Sequence, residues 1–256
     1  MNDSTETPKI ARIPLNLLHD VIKRGWQMFL KTRPLSVSFS MIFALIGVAI
    51  LASITRASHA PLVFPVSAGF MLVGPFLLAG FFALADRVAA GESPSVSDIR
   101  AGFARTNGGI FAIAVVCMVA FFLWVINAAY LYGRIVGRAP EPVFSLLAPS
   151  ASVISFFLQS AVRGAILAMF VFAISAFSVP LLYYRRATLV GAVSLSIRAV
   201  FRNFFPCICW ATILTLGIVV SILIFPLFLV SFPVLAYASH ALYREIFPTP
   251  RGRIEP

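Results

Sequence analysis

"IRAVFRNFFPCICWATILTLGIVVSILIFPLFLVSFPVLAYASHALYR", Ile197–Arg244, decides the fold. Its first turns set Ile197 and Phe201 on one face of a helix and Arg198 and Arg202 on another. No charge then appears between Phe204 and Tyr243, a run about twice the ~20 residues that one membrane crossing needs. Phe225-Pro226 offers a break, because proline lacks the N–H that would continue the ladder. The stretch therefore reads as a short basic amphipathic helix followed by two crossings, Phe204–Ile224 and Pro226–Tyr243.

The rest of the chain agrees. Of 256 residues, 60% are hydrophobic and 11% are charged, whereas a soluble domain carries about 25% charged residues. A soluble globule is excluded on that ground. Further charge-free runs predict crossings at Pro34–Thr55, Leu62–Ala85, Gly109–Tyr132 and Gly164–Tyr184, since a charge at mid-bilayer costs about 2.5–3.5 kcal/mol on insertion scales. The expected fold is all-α: a polytopic membrane protein with six transmembrane helices arranged as three hairpins. One membrane domain spans 15–247, between cytoplasmic tails at 1–14, read as disordered, and 248–256. No cleaved leader is read, because the first apolar run follows a long polar segment.

Basic residues set the orientation. The N-terminus, the 86–108 and 185–203 loops and the C-terminus hold 16 of the 20 Lys and Arg, which predicts both termini on the cytoplasmic side. The net charge of +11 lies between apolar runs, so the expected partner is a bilayer with anionic headgroups. No arginine-rich arm or aromatic-basic surface indicates nucleic acid.

The amphipathic phrase recurs. Ile99 and Phe103 face one way with Arg100 and Arg105 on the wetter side; Ile22, Trp26 and Phe29 oppose Lys23, Gln27 and Lys31. Each copy suits the headgroup layer and leads into an odd-numbered crossing. Among the even crossings, Pro75, Pro180 and Pro233 precede Arg87, Arg185 and Arg244, and an internal proline frees a carbonyl one turn back. Three units follow, roughly 15–87, 95–184 and 189–245, all oriented alike, so a pseudo-symmetry axis would run along the membrane normal. Chance matching in a biased composition is the competing account of the repeat.

Chemistry is sparse. No GxGxxG, P-loop, HExxH or GxSxG pattern occurs, and the only histidines are His19, His59 and His240. His240, near the inner end of the last crossing, reads as a snorkelling interfacial residue before a ligand or proton carrier. Cys117, Cys207 and Cys209 lie in apolar runs; the last two point about 200° apart on a helix and cannot share a metal. No cofactor is expected. Asn127, Thr212, Thr215 and several serines, among them Ser38, Ser40, Ser175, Ser178 and Ser221, are polar groups inside crossings, suited to bonding helix to helix or back to a carbonyl. Asp86 and Arg87 close the second crossing, where they could pair with Arg185 or Arg186 unless those arginines meet phosphates. Gly74-Pro75, with Gly69 and Gly80, bares the most backbone, for a neighbouring helix before a ligand.

"GPFLLAGFFALADRVAAGESPS", "FSVPLLYYRRATLVGAVSLSIRAVFRNFFPCICW" and "FPVLAYASHALYREIF" together resemble the domain of unknown function 2189 family of bacterial integral membrane proteins, from about Phe64 to Phe247. Gly74-Pro75, Pro180, Asn203, Trp210 and the Pro233-to-Arg244 segment carry the likeness. It implies location and fold, with no established activity. Some members are labelled cytochrome oxidase subunits, but haem and copper need several inward histidines. Tyr184 stands where the pattern calls for an acid, and Tyr237-Ala238-Ser239-His240 where relatives carry His and Trp.

The functional expectation is a non-enzymatic inner-membrane component. One form is a small transporter or permeation module with a cavity near Gly74, Pro180 and Pro233. The other is an accessory or assembly subunit that contacts anionic lipid and a membrane-protein partner or a second copy of the chain. The poverty of acids, bases and metal ligands disfavours an intramembrane enzyme.

Overall fold

A computed structural model describes residues 8–54, 63–135 and 150–248. It contains α1 (Leu17–Ile54), α2 (Val63–Ala89), α3 (Val96–Ala104), α4 (Gly108–Ile135), α5 (Ala151–Ser175), α6 (Ser178–Tyr183), α7 (Leu189–Arg202), α8 (Phe204–Leu223) and α9 (Phe225–Ile246), with no strand among the described residues. Four stretches are long and apolar enough to cross a membrane: Leu17–Ala49, Gly108–Ile135, Ala151–Tyr183 and Pro226–Ile246. A fifth follows if α7 and α8, bent by 102°, form one broken span. Side chains of 50–73 lie outside the described residues, and with them the outer half of α2. Arg56, His59, Arg138 and the rest of the 136–149 segment, and the tails 1–7 and 249–256, also lie outside.

Consecutive long helices pack as pairs, α1 with α2, α4 with α5 and α8 with α9, yet the most extensive contact joins α1 to α9. Small residues let these two approach. A Cβ on Gly25 would stand 2.6 Å from the Val234 carbonyl oxygen and 2.9 Å from Ala238 Cβ. About two turns further along α1, Thr32 and Ser36 form with Tyr237 a buried triangle of hydroxyls with edges of 2.7–2.9 Å. Thr32 gives its proton to the Met28 carbonyl, so two protons remain for three edges, and at most two are hydrogen bonds at one time.

The expected N-terminal interfacial helix is not separate. Residues 22–33 run through Pro34 into one continuous α1. The proline removes one ladder bond, from the exposed Leu30 turn, and the α9 contact holds the two halves in line. α3 and α7 are separate helices, because polar residues stop them: Thr106-Asn107 after α3 and Asn203 after α7. Pro75 and Pro233 lie inside unbroken helices.

The fourth expected crossing, 164–184, also differs. Its helix begins at Ala151 behind the Ser150 cap, carrying exposed Arg163 within it, and it breaks between Ser175 and Ser178. Pro180 explains the break from one side, since it cannot bond the carbonyl four residues back. Ser196 of α7 explains it from the other. Its hydroxyl accepts from Phe177 N at 3.2 Å and donates to the Ala173 carbonyl at 2.8 Å, so it is inserted into the ladder of the incoming helix.

The segment expected as a disordered tail over 1–14 is held where it is described. Ile10 and Ile13 pack on the core, and Ala11 N bonds the Ile246 carbonyl at 2.8 Å. Apolar residues three apart give this short strand of chain something to bury, which a loose tail lacks.

Candidate functional site

The arginine-rich end of the bundle collects most of the polar side chains singled out from the sequence. Its centre is Tyr184, just past α6. The phenol donates to Asp86 Oδ1 at 2.9 Å and lies 2.8 Å from His240 Nε2. A phenol has one proton. With that proton on Asp86, His240 must carry its own on Nε2 and donate it to the tyrosine oxygen, leaving Nδ1 as an acceptor. Asp86, Tyr184 and His240 come from α2, the α6 end and α9, so one knot ties three parts of the chain. Arg105, beyond α3, adds its guanidinium 3.9 Å from Asp86 Oδ2.

His240 therefore does not snorkel. It is 7% exposed, with its ring against Phe82 and Tyr184 at 5.1 and 5.9 Å. Tyr184 stacks on Tyr243 at 5.8 Å, and Tyr183, Phe177 and Phe247 complete a buried aromatic plug. Arg186 caps the end of α9, donating to the Phe247 carbonyl at 2.8 Å and to Tyr243 Oη at 3.2 Å.

Arg87 turns outward to Glu92 and Asp98. Asp98 opens α3 by accepting from the Ser95 N–H and hydroxyl, each at 2.7 Å. Its partial burial works against the charge, but the Ser95 bonds and the Arg87 guanidinium outweigh it and hold the carboxyl below its usual range. α3 lies close on α2: a Cβ on Gly102 would stand 2.5 Å from the Ala79 carbonyl oxygen. Arg100 is exposed on the other side.

Asn203 is the elbow between α7 and α8. Its side chain accepts from Ile13 N at 2.9 Å and donates to the Ala11 carbonyl at 3.0 Å, gripping the N-terminal segment as a neighbouring strand would. Beside that segment is a hollow of about 610 Å³, lined among others by Asn107, Thr188 and four arginines, Arg185, Arg186, Arg198 and Arg202. Partners of the described carboxylates include His19 for Asp20, Tyr184 for Asp86, Arg87 for Glu92 and Asp98, and Arg24 for Glu245. Arg185 holds a left-handed backbone, φ 50°, which costs a non-glycine residue about 1–2 kcal/mol.

Gly74 and Pro75 of α2, Pro180 of α6 and Pro233 of α9 are not brought together around this hollow or around the apolar groove beside it. A Cβ on Gly74 would meet nothing within 4 Å, so no described neighbour uses its bare backbone. Thr212, Thr215 and Ser175 bond back to carbonyls of their own helix, and Ser178, at the start of α6, to the Ile174 carbonyl of α5. Cys207 is buried and Cys209 exposed, and no group of three His, Cys, Asp or Glu is placed to hold a metal among the described residues. Among the described residues the arrangement offers guanidinium donors to an anion and locks helices together.

Sequence reasoning missed Tyr184 as a hub, Ser196 as a ladder insert and the Thr32–Ser36–Tyr237 triangle. Only the i, i+4 spacing of Thr32, Ser36 and Ser40 on α1 offered a signal, a polar stripe on an apolar helix.

Apolar helices of crossing length, closed at one end by arginines and aromatic rings, define an integral membrane protein. The model of the domain of unknown function 2189 family, described as predicted integral membrane proteins, matches residues 63–183. The matched segment runs from α2 through α6; α7 to α9, included in the likeness drawn from the sequence, lie beyond it. No curated protein and no solved structure matches the chain.

Proposed function

We propose that the protein crosses the bacterial inner membrane six times as three hairpins, with both termini in the cytoplasm, and serves as a non-catalytic accessory component of a membrane assembly. α2 supplies the second crossing and α8 alone the fifth, since its 20 residues rise about 30 Å. The α7–α8 bend of 102° then lays α7 along the headgroup layer, with α3 in the equivalent place.

The observation that carries the accessory reading over the transport reading is the Asp86–Tyr184–His240 knot with its aromatic plug. A permeation path between the hairpins would have to open there, through rings packed edge to face and a satisfied buried hydrogen-bond chain. Those features favour a rigid frame that presents surfaces over a moving gate. The apolar faces turned away from the bundle, among them Phe157, Leu158 and Ile166 of α5, meet lipid or a partner helix.

Three measurements test this. Single cysteines at Gly74, Pro180 and Pro233 should stay inert to polar thiol reagents in intact membranes, and purification in mild detergent should retain a stoichiometric membrane partner. Rapid labelling at all three positions, with no co-purifying protein, would restore the permeation reading. A reporter fused beyond Phe247 should be active only in the cytoplasm.

A further inference from the structure

α7 has three faces. At about 100° per residue, Ala192, Ser196, Ala199 and Val200 form the inward one, and all four are buried. A second sector carries Arg198 and Arg202 with Gly191, Ser194 and Leu195, and these line the arginine hollow. A third carries Leu189, Val190, Val193 and Ile197, which line a separate apolar groove of about 460 Å³. Ser194 and Arg198 line both. The basic hollow and the apolar groove therefore adjoin across one helix, and on the groove side α7 also carries exposed Phe201, 64% accessible.

We propose that this junction is a binding site for one anionic phospholipid, its phosphate in the arginine hollow and an acyl chain along the Leu189–Val193–Ile197 groove. The site deepens the accessory reading, resting on it for the placement of α7 at the membrane surface. Charge complementarity selects the occupant. Arg185, Arg198 and Arg202 have no acidic partner among the described residues, and a guanidinium fork matches a phosphate group better than water does. Thr188 is the α7 cap; its oxygen accepts from Gly191 N, so its hydroxyl proton points away from that bond and can be given to an anion, at a helix start that favours negative charge. A soluble phosphate would use the hollow alone. A neutral lipid would use the groove alone. An anionic phospholipid uses both, which is the combination the shared Ser194 and Arg198 present. The strain at Arg185 also fits, because the left-handed turn sets that side chain on the rim of the hollow.

The test uses the full chain in mild detergent, with phosphatidylglycerol or phosphatidylcholine of identical acyl chains added, and native mass spectrometry counting retained lipid. One phosphatidylglycerol should remain, preferred over phosphatidylcholine. R198Q/R202Q should lower its retention about 30-fold, the weight of two arginines at an anionic lipid surface, and R198K/R202K should recover most of it with an unchanged melting temperature. L189S/V190S should lower retention about fivefold through lost apolar contact. Equal retention of phosphatidylcholine, or no change in R198Q/R202Q, overturns the proposal. So does inorganic phosphate at millimolar concentration displacing the lipid while L189S/V190S has no effect, which assigns the hollow to a soluble anion. Lipid retention is read on the isolated protein and the accessory role on a co-purifying partner, so either can fail alone.

Discussion

Tyr184→Phe removes one oxygen from the centre of the knot and keeps the ring that stacks on Tyr243 and Phe82. Two hydrogen bonds go with it, the 2.8 Å contact from His240 Nε2 and the 2.9 Å contact to Asp86 Oδ1. A bond to a charged group contributes about 1.5–3 kcal/mol, and a buried N–H left without its acceptor costs about 1–3 kcal/mol. Hydrogen bonds between membrane helices run lower, averaging about 0.6 kcal/mol. The Asp86 side chain is 25% exposed and keeps Arg105 nearby, so water and that arginine recover part of the loss. The expected destabilisation is about 2 kcal/mol, most of it from His240, which is buried among rings and cannot reach water. His240→Phe made on top of it should add little, because replacing both partners of a buried bond with apolar rings leaves nothing unsatisfied. Reversible unfolding in mixed micelles, run as a double-mutant cycle, measures both quantities. A Tyr184→Phe change within 0.5 kcal/mol of zero, or strict additivity with His240→Phe, would refute the knot as a stabilising unit.

Four further outcomes are expected. Gly102→Val places carbon atoms inside the Ala79 carbonyl contact and should cost about 1–3 kcal/mol by overpacking, whereas Gly108→Ala, with open space around it, should be neutral or stabilising in the same melting assay. Arg185→Gly relieves the left-handed strain and should raise stability by about 1 kcal/mol while weakening phosphatidylglycerol retention; a loss of stability would show that the arginine is a folding contact. Asn203→Ala breaks the bonds to Ile13 N and the Ala11 carbonyl and should speed amide exchange over 8–14 by about tenfold or more, at about 1 kcal/mol for each bond lost. Asp98 has a folded-state pKa below its unfolded value, so its contribution is fully present above the unfolded carboxylate range near pH 4 and is lost as the pH falls through the lower folded value. The protection of the α3 amides, taken relative to their intrinsic exchange rates, should therefore fall on acidification through that window in the native protein and show no such step in Asp98→Asn.

How much was legible beforehand differs from element to element. The break after Ile224, the start of α8 at Phe204 and the separate helices α3 and α7 were readable, because charge, proline and amphipathic spacing act over one or two helical turns. The continuity of α1 through Pro34 was not, since a proline near the end of an amphipathic run looks the same whether or not another helix braces it. The break at 176–177 was only half legible. Pro180 marked it, but the Ser196 hydroxyl that stitches it comes from α7. Arg198 and Arg202 were visible as a basic face, whereas the hollow they share with Arg185 and Arg186 needs the 185–188 turn to fold back against α7.

By itself the sequence determines the solvent this protein belongs in and several of its helix ends, because the cost of a charge in hydrocarbon and the missing N–H of proline are properties of single residues. Tertiary structure alone decides that Tyr184 joins Asp86 to His240, that His240 is enclosed, and that α1 lies along α9. Those outcomes depend on groups far apart in the chain, and the free energy of a hydrogen bond or a close helix approach exists only once both partners have been brought within a few ångströms of each other.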